Sequence, residues 1–492
     1  MKVRGNYVRI KATQSNELLQ IIYNGLEKGK PSKNIIIIGA GIAGLVAASL
    51  LKDAGHEVTV LEATNRVGGR IFTEKAPFID GLYLDVGAMR IPESHELALA
   101  YIKKFNLPLD PFINRTPHDI MYINGVKTTY GEYEKNPDIF NYPVDEHEKG
   151  KTAEELLNWA IEPITNFINQ NPEENWPKVI DDFDCYSMGS YLRYNPFGRT
   201  LSTGAIEMIK VIVNFEGFAE LSFLGILKEI MVLSIPNLKF FQVRGGSSQL
   251  PESFLPQLKE HLFFSQRVTK IVQEEKKAIV HSVHTQSFRK FQIEGDIVIV
   301  TIPFSGMNFI EVDPYDSISH NKRKAIRELH YVPSTKIGLQ FKTKFWEKQG
   351  ITSGSLITDL PIRSAYYPSH VTGTTGSGIL LASYTWEDDA LIWDSLTEED
   401  RIRNALDNIA TIHGPDIYQE FITGASHIWS QYPYVGGFSM FKPEQMKELG
   451  PSLATPEGHI HFAGEHTSSL PGWIQGAIES GIRVAREVNE KV

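Results

Sequence analysis

A single cysteine, Cys185, stands among the 492 residues. One thiol cannot build a disulfide framework, an iron–sulfur cluster or a multi-thiolate metal site, and a reducing compartment is the expectation that follows. Cys185 itself reads as a small buried apolar residue and not as a catalytic thiol. Positive charge is short as well. The formal net charge is −10, which offers a polyanion no attraction and disfavours a nucleic-acid partner. The lone basic cluster, Lys322, Arg323, Lys324 and Arg327, falls on a helical pattern and reads as a solvated face. Long apolar runs are missing too: the most apolar stretch, Phe223 to Ile235, is interrupted by Lys228 and Glu229. It is shorter than the roughly 20 residues that cross a bilayer, so it reads as a buried helix. Near the amino end Lys2, Arg4, Arg9 and Lys11 have no continuous apolar segment and no small-residue cleavage site behind them. No export signal is read there, and a cytoplasmic protein without membrane contact is expected. Neither His-Glu-x-x-His nor paired Cys-x-x-Cys occurs, so no metal is expected.

What is present is globular: 42% of residues are hydrophobic and 22% charged, with glycine and proline scattered instead of bunched. The length calls for two or three domains and is ample to bury a large cofactor. No internal repeat is visible, which sets aside solenoids and propellers. Ser15 to Leu26 carries apolar residues at helical intervals. Asn34 to Ile38 is apolar on both faces, as the central strand of a parallel sheet must be. A helix over Ala43 to Ala54, a left-handed cap at Gly55 and a strand over Glu57 to Leu61 complete a βαβ opening. Between about Lys135 and Leu233, segments such as Thr152 to Gln170 and Gly204 to Glu216 read as helices. Beyond them Val268 to Val272, Ala278 to Val283, Asp296 to Thr301, Ile337 to Phe341 and Ile379 to Tyr384 read as strands.

Gly39-Ala-Gly41-Ile-Ala43-Gly44 lies between the first strand and the helix, and Glu62 ends the second strand. Gly39 makes the tight turn, Gly41 lets backbone approach a pyrophosphate, and Gly44 lets the helix pack on the sheet. The unpaired N–H groups of the helix start then face the anion. Glu62 can accept the ribose hydroxyls of an adenosine, and it would repel a 2′-phosphate, which disfavours NADP. Ala63 and then Arg66-Val-Gly-Gly69-Arg70 follow it. Further N–H groups and two guanidinium forks beside the phosphates favour FAD over NAD.

Three separated blocks resemble the flavin-dependent amine oxidase family, which includes monoamine, polyamine and L-amino acid oxidases. They are Ile35 to Arg70, Gly245-Gly-Ser-Ser-Gln-Leu-Pro251 with Arg267-Val268, and Phe462-Ala-Gly464-Glu465-His466 running into Gly472-Trp473-Ile474. With the intervening spacing, the likeness spans about residues 33 to 488. It implies an α/β fold: a Rossmann-like FAD-binding domain (33–77, 240–313 and 445–492), a mixed-sheet substrate-binding domain (5–30, 78–134 and 314–444) and an inserted helical domain (135–239). Val268 is implied to touch the adenine through its backbone, and Glu465 to hold the ribityl chain. The helix after Trp473 would aim its positive end at the flavin. Met89, Arg90 and Trp429 complete the expected cofactor contacts. Some members tether the flavin through a cysteine after a glycine pair; here Gly436-Gly437 precedes Phe438, so a noncovalent FAD is expected.

The substrate class turns on Asp85-Val-Gly-Ala-Met-Arg90. Simple amine oxidases resemble this up to Gly-Ala and carry an uncharged residue at the last place, whereas L-amino acid oxidases carry the arginine. A guanidinium grips a carboxylate through two parallel hydrogen bonds, and a neutral amine offers it nothing. The competing reading is an internal ion pair of Arg90 with Asp85 or Glu93. By resemblance Tyr384 adds a hydrogen bond to the carboxylate, the Gly472 carbonyl accepts the substrate amine, and Trp473 walls an aromatic cage. Lys336 would hold a water beside flavin N5. The reaction implied is hydride transfer from Cα, faster as the ammonium is deprotonated, giving a 2-oxo acid, ammonia and hydrogen peroxide from an L-amino acid and molecular oxygen. Tyr366, Trp386, Trp429 and Tyr434 point to a bulky apolar or aromatic side chain, and a homodimer is expected. The alternatives are an amine or polyamine oxidase, a decarboxylating amino-acid monooxygenase, a flavoprotein that serves as a binding platform, and a NAD dehydrogenase.

Overall fold

The computed structural model describes residues 7–491 apart from 216, 218, 236, 371–372 and 432–435, with side chains from residue 16 onward. Successive side chains of a strand point to opposite faces, so one that is apolar throughout needs cover on both. In the strand Asn34–Ile38, Ile35 and Ile37 enter one core with the helix Ile42–Ala54, while Ile36 and Ile38 enter another with Ile271 and Phe304. It accordingly takes the centre of a five-stranded parallel sheet, in the order Leu262–Phe263, Glu57–Leu61, Asn34–Ile38, Ile297–Val300, Ile460–Phe462. Gly55 ends the helix with φ +104° and returns its N–H to the Leu51 and Lys52 carbonyls. The C-terminal helix Ile474–Glu490 packs on Ile42–Ala54 so closely that a Cβ at Gly481 would lie 2.6 Å from the Ala43 carbonyl oxygen.

A seven-stranded mixed sheet forms a second layer, in the order Phe421–Ile428, Ser334–Phe341, Gly378–Trp386, Ser364–Tyr367, Gly354–Thr358, Ile120–Ile123, Val126–Thr129. Helices Ala153–Gln170, Thr203–Ile212 and Phe223–Leu233 share one core with Met121, Ile123 and Ile357 of that layer. The first of them opens on a capping box between Thr152 and Glu155. The helix read over 204–216 ends at Ile212, and Glu216 lies outside the described residues. No helix of the described residues is long and apolar enough to cross a membrane.

Several readings are corrected by packing. The helix read from Ser15 starts at Tyr7, and Ile22 and Leu26 join the core that the helices Ile42–Ala54 and Glu96–Lys104 share. Phe223–Leu233 is buried only at Phe223, Leu224, Ile226 and Leu227, and Ile235 is exposed. Cys185 is exposed as well. Lys322 is fully buried and not part of a solvated face: its Nζ donates to the Leu453 carbonyl at 2.8 Å and sits 3.7 Å from the centroid of Phe462. The charge pattern could not show this, because a tertiary neighbour buries one residue of a basic run.

Burial pushes Lys322 from an ordinary 10.5 down to about 7. Between those values the unfolded chain binds the extra proton, so wild-type stability rises with pH across that window and carries the full penalty below it. Lys322→Met removes the charge at similar volume. It is expected to melt a few degrees above the wild type at pH 6, with the gap closing toward pH 9, as read by circular dichroism.

Candidate active site

The two layers enclose a cavity of about 620 Å³ between the carboxyl end of the parallel sheet and one face of the mixed sheet. At the sheet end Gly39, Gly41, Ala43 and Gly69 line it, with the start of the helix Ile42–Ala54, whose cap residue Gly41 supplies no side-chain bond. A second uncapped helix start, Ile474 after Trp473, opens into the same space. Two sets of orphan N–H groups therefore face one cavity, as an anionic ligand requires. Gly41 meets nothing within 4 Å of a would-be Cβ, so its absent side chain is space on the ligand's side. Glu62 accepts Ala40 N–H, Thr64 N–H and Thr64 Oγ1, each at 2.8 Å, which fixes both carboxylate oxygens at the rim. Ala63, Arg267 and Val268 continue that rim. A cradle of this length, phosphate-binding at one end and aromatic at the other, fits a flavin dinucleotide.

Glu465 lies at the junction. It meets Arg70 Nη1 at 2.7 Å, Ser439 Oγ at 2.8 Å and Gly472 N–H at 2.8 Å. Burial alone would raise its pKa, but Arg70, His466 and these hydrogen bonds together hold it below the usual carboxylate range. Gly464 lines the cavity beside it, whereas His466 is buried against Phe304.

At the far end, Lys336 pairs in register with Tyr384 on one side and His427 on the other, so the three share a face. Trp386 and Trp429 extend that face two residues along their strands. A bulge makes this possible. Ile379 and Leu381 point to this side while Leu380 and Ala382 fill the opposite core. The pairing jumps from Gly338↔Leu381 to Ile337↔Ser383, and the extra residue returns Tyr384 and Trp386 to the cavity side. Lys336 is 1% exposed and donates to the Asp85 and Gly87 carbonyls at 3.0 and 2.6 Å. Burial pushes its pKa well down, against the pull of Asp85. Burial raises that of Tyr384, which keeps its hydroxyl protonated, and lowers that of His427 to about 4, which keeps the imidazole neutral. Trp429 donates to the Val86 carbonyl at 2.8 Å, and Trp473 to Glu229 at 2.8 Å.

Arg90 stands beyond this face. Its Nη1 donates to Asn114 Oδ1 at 2.6 Å and to the Tyr366 hydroxyl at 3.4 Å, and the rings of Phe240 and Tyr366 lie 5.8 and 5.7 Å from the guanidinium carbon. Neither acid weighed as its partner reaches it. Asp85 is held by Thr73 Oγ1 at 2.6 Å and by Ser247 N–H and Oγ at 2.9 and 3.0 Å, while Glu93 accepts Lys239 N–H.

Of the residues singled out from sequence, Gly39, Gly41, Ala43, Glu62, Ala63, Gly69, Arg70 and Val268 line the cavity at the nucleotide end. Lys336, Tyr384, Trp429, Gly464, Glu465, Gly472, Trp473 and Ile474 line it at the other. Four do not. Gly44 acts one layer back, where a Cβ would lie 2.1 Å from the Gly39 carbonyl oxygen. Arg66 is turned to its own loop, where its guanidinium donates to the Val67, Gly69 and Ile71 carbonyls and stacks on Phe72 at 4.0 Å. Met89 is buried with Phe78 and Trp429, and Arg90 faces the outer aromatic pair. The Gly245–Ser248 block clasps Thr73 and Asp85 instead of lining the cavity. Tyr434 lies outside the described residues. Sequence reasoning missed Asn114, Phe240 and His427, which no motif marks; only strand register places His427 beside Lys336.

Fold and cavity define a flavin-dependent oxidoreductase, and the chain belongs to the flavin containing amine oxidoreductases, whose family profile matches residues 42–489. Its cofactor is FAD. The chain is 49% identical over 481 residues to the Bacillus subtilis (strain 168) protein YobN, named only provisionally as an L-amino-acid oxidase; 98% of this chain and 99% of that protein are covered. It is 35% identical over 480 residues to the L-amino-acid oxidase of Siganus canaliculatus, covering 97% and 89% of the two. Among solved structures, cyclohexylamine oxidase from Brevibacterium oxydans IH-35A superposes with a TM-score of 0.75 at 22% identity, covering 94% and 99% of the two chains. Putrescine oxidase bound to putrescine gives 0.73 at 20% identity, again covering 94% and 99%. These last two share the fold.

Proposed function

We propose that this enzyme oxidises an L-amino acid with a bulky apolar or aromatic side chain to the 2-oxo acid, ammonia and hydrogen peroxide, using noncovalently bound FAD. The observation that carries this reading is a guanidinium, that of Arg90, with no carboxylate partner among the described residues, set between aromatic rings next to the cavity. A cation kept in such surroundings gains most from an anion brought by the substrate. The relatives named as L-amino-acid oxidases support the same substrate class.

When bound, FAD supplies the two-electron acceptor that oxygen later recharges. The chain's own groups do the rest. Arg90 clasps the carboxylate and the protonated Tyr384 hydroxyl donates to it. The Gly472 carbonyl accepts the α-amino group; its own peptide N–H is anchored on Glu465. Two of the hydrogens on Lys336 Nζ are committed to the Asp85 and Gly87 carbonyls, which leaves one position there for a water. Trp429 and Trp473, each held by its indole N–H, wall the reacting carbon from bulk solvent.

The test is a peroxide assay on phenylalanine and leucine against phenethylamine and isopentylamine. Turnover of the amino acids with 2-oxo acid as product is expected. Equal or better turnover of the amines would reverse the assignment, and an amide product would make the enzyme a decarboxylating monooxygenase.

A further inference from the structure

We propose that Asn114 determines the specificity for an acid, by orienting Arg90 through a neutral acceptor that leaves its charge for the substrate; this rests on the function proposed above. Asn114 Oδ1 takes one N–H of Nη1 at 2.6 Å, while Nη2 and Nε make no hydrogen bond among the described residues. The guanidinium is thus tethered at one corner and keeps an edge for a carboxylate.

The tether is itself rigid. Asn114 follows the strand Leu109–Phe112, which pairs with Phe240–Val243; that strand pairs in turn with Ile91–Pro92, the residues directly after Arg90. One three-stranded sheet therefore carries or flanks Arg90, Phe240 and Asn114. The loop around Asn114 is pinned from three further directions. Ile113 N–H donates to Ser369 Oγ at 3.1 Å, Arg115 pairs with Glu154 at 2.7 Å, and Thr116 donates to Asp119 at 2.6 Å. Side-chain freedom is lost before substrate arrives, so less is lost on binding.

An amide and a carboxylate have the same shape and differ in charge. An aspartate at this place would meet Arg90 at hydrogen-bond distance, close the ion pair internally, and compete with every substrate carboxylate. A merely structural asparagine would not distinguish an amino acid from its decarboxylated amine.

Asn114→Asp and Asn114→Ala would be made in the flavin-loaded enzyme. Each would be assayed with phenylalanine and phenethylamine, and benzoate would be titrated by the flavin absorbance. Asn114→Asp is expected to raise KM for phenylalanine and Kd for benzoate by about tenfold or more, with kcat within about threefold and phenethylamine turnover unchanged or improved. Asn114→Ala, which loosens the guanidinium without neutralising it, is expected to fall between that variant and the wild type. Wild-type benzoate affinity in Asn114→Asp, or a parallel loss with both substrates, overturns the inference. Arg90→Met separates the two levels. If it abolishes benzoate binding while Asn114→Asp does not, only the role of Asn114 falls; if it also binds benzoate normally, the acid site itself is misplaced.

Discussion

Arg90→Met is expected to lower kcat/KM for phenylalanine by about 10²–10³-fold, equivalent to roughly 3–4 kcal/mol of lost transition-state stabilisation. The size follows from the environment. Among the described residues Arg90 meets only an amide oxygen, a distant hydroxyl and two aromatic rings, so a substrate carboxylate there would face a partly desolvated cation. Methionine fills comparable volume between Phe240 and Tyr366 and leaves no buried charge behind, so folding and flavin content should survive. Phenethylamine turnover should stay within a few-fold of its wild-type value. Retention of phenylalanine oxidation with unchanged KM would show that some other group binds the acid.

Gly44→Ala should produce the largest loss of cofactor. Its Cβ would lie 2.1 Å from the Gly39 carbonyl oxygen and 2.9 Å from Thr301 Oγ1. The helix Ile42–Ala54 would have to retreat by about 1 Å to reach ordinary contact. Retreat is blocked on the other side, where the C-terminal helix touches Ala43 at Gly481. Strain of this kind costs roughly 1–3 kcal/mol or more, and it displaces the orphan N–H groups that face the cavity. Purified protein is expected to carry about a tenth of the wild-type flavin and to melt at lower temperature. Gly41→Ala gives the contrast: with nothing of the protein within 4 Å, it should keep its thermal stability when stripped of cofactor and lose flavin affinity alone. Equal destabilisation of both stripped proteins would contradict the separate roles assigned to the two glycines.

Much of the nucleotide end was legible because its logic is local. A strand apolar on both faces, a glycine turn, a helix and an acidic residue lie within thirty residues, and each step is dictated by backbone sterics and by orphan N–H groups. Arg66 shows where that logic stops. It sits in the same motif as Arg70, yet neighbouring carbonyls and Phe72 take its guanidinium, while Arg70 alone reaches Glu465. Lys322 shows the same limit for charge, since only a folded neighbour decides which residue of a basic run loses its water.

By itself the sequence determined the βαβ opening, the dinucleotide cradle and the presence of an arginine suited to an acid, because each depends on chemistry contained in a short stretch of chain. Tertiary structure decided which residues share a face. A one-residue bulge turns Tyr384 toward the cavity, and strand register puts His427 beside Lys336. It also decided that Arg90 meets Asn114 and neither Asp85 nor Glu93. Those pairings depend on hydrogen-bond register and on close packing between segments far apart in the chain, which no local pattern encodes.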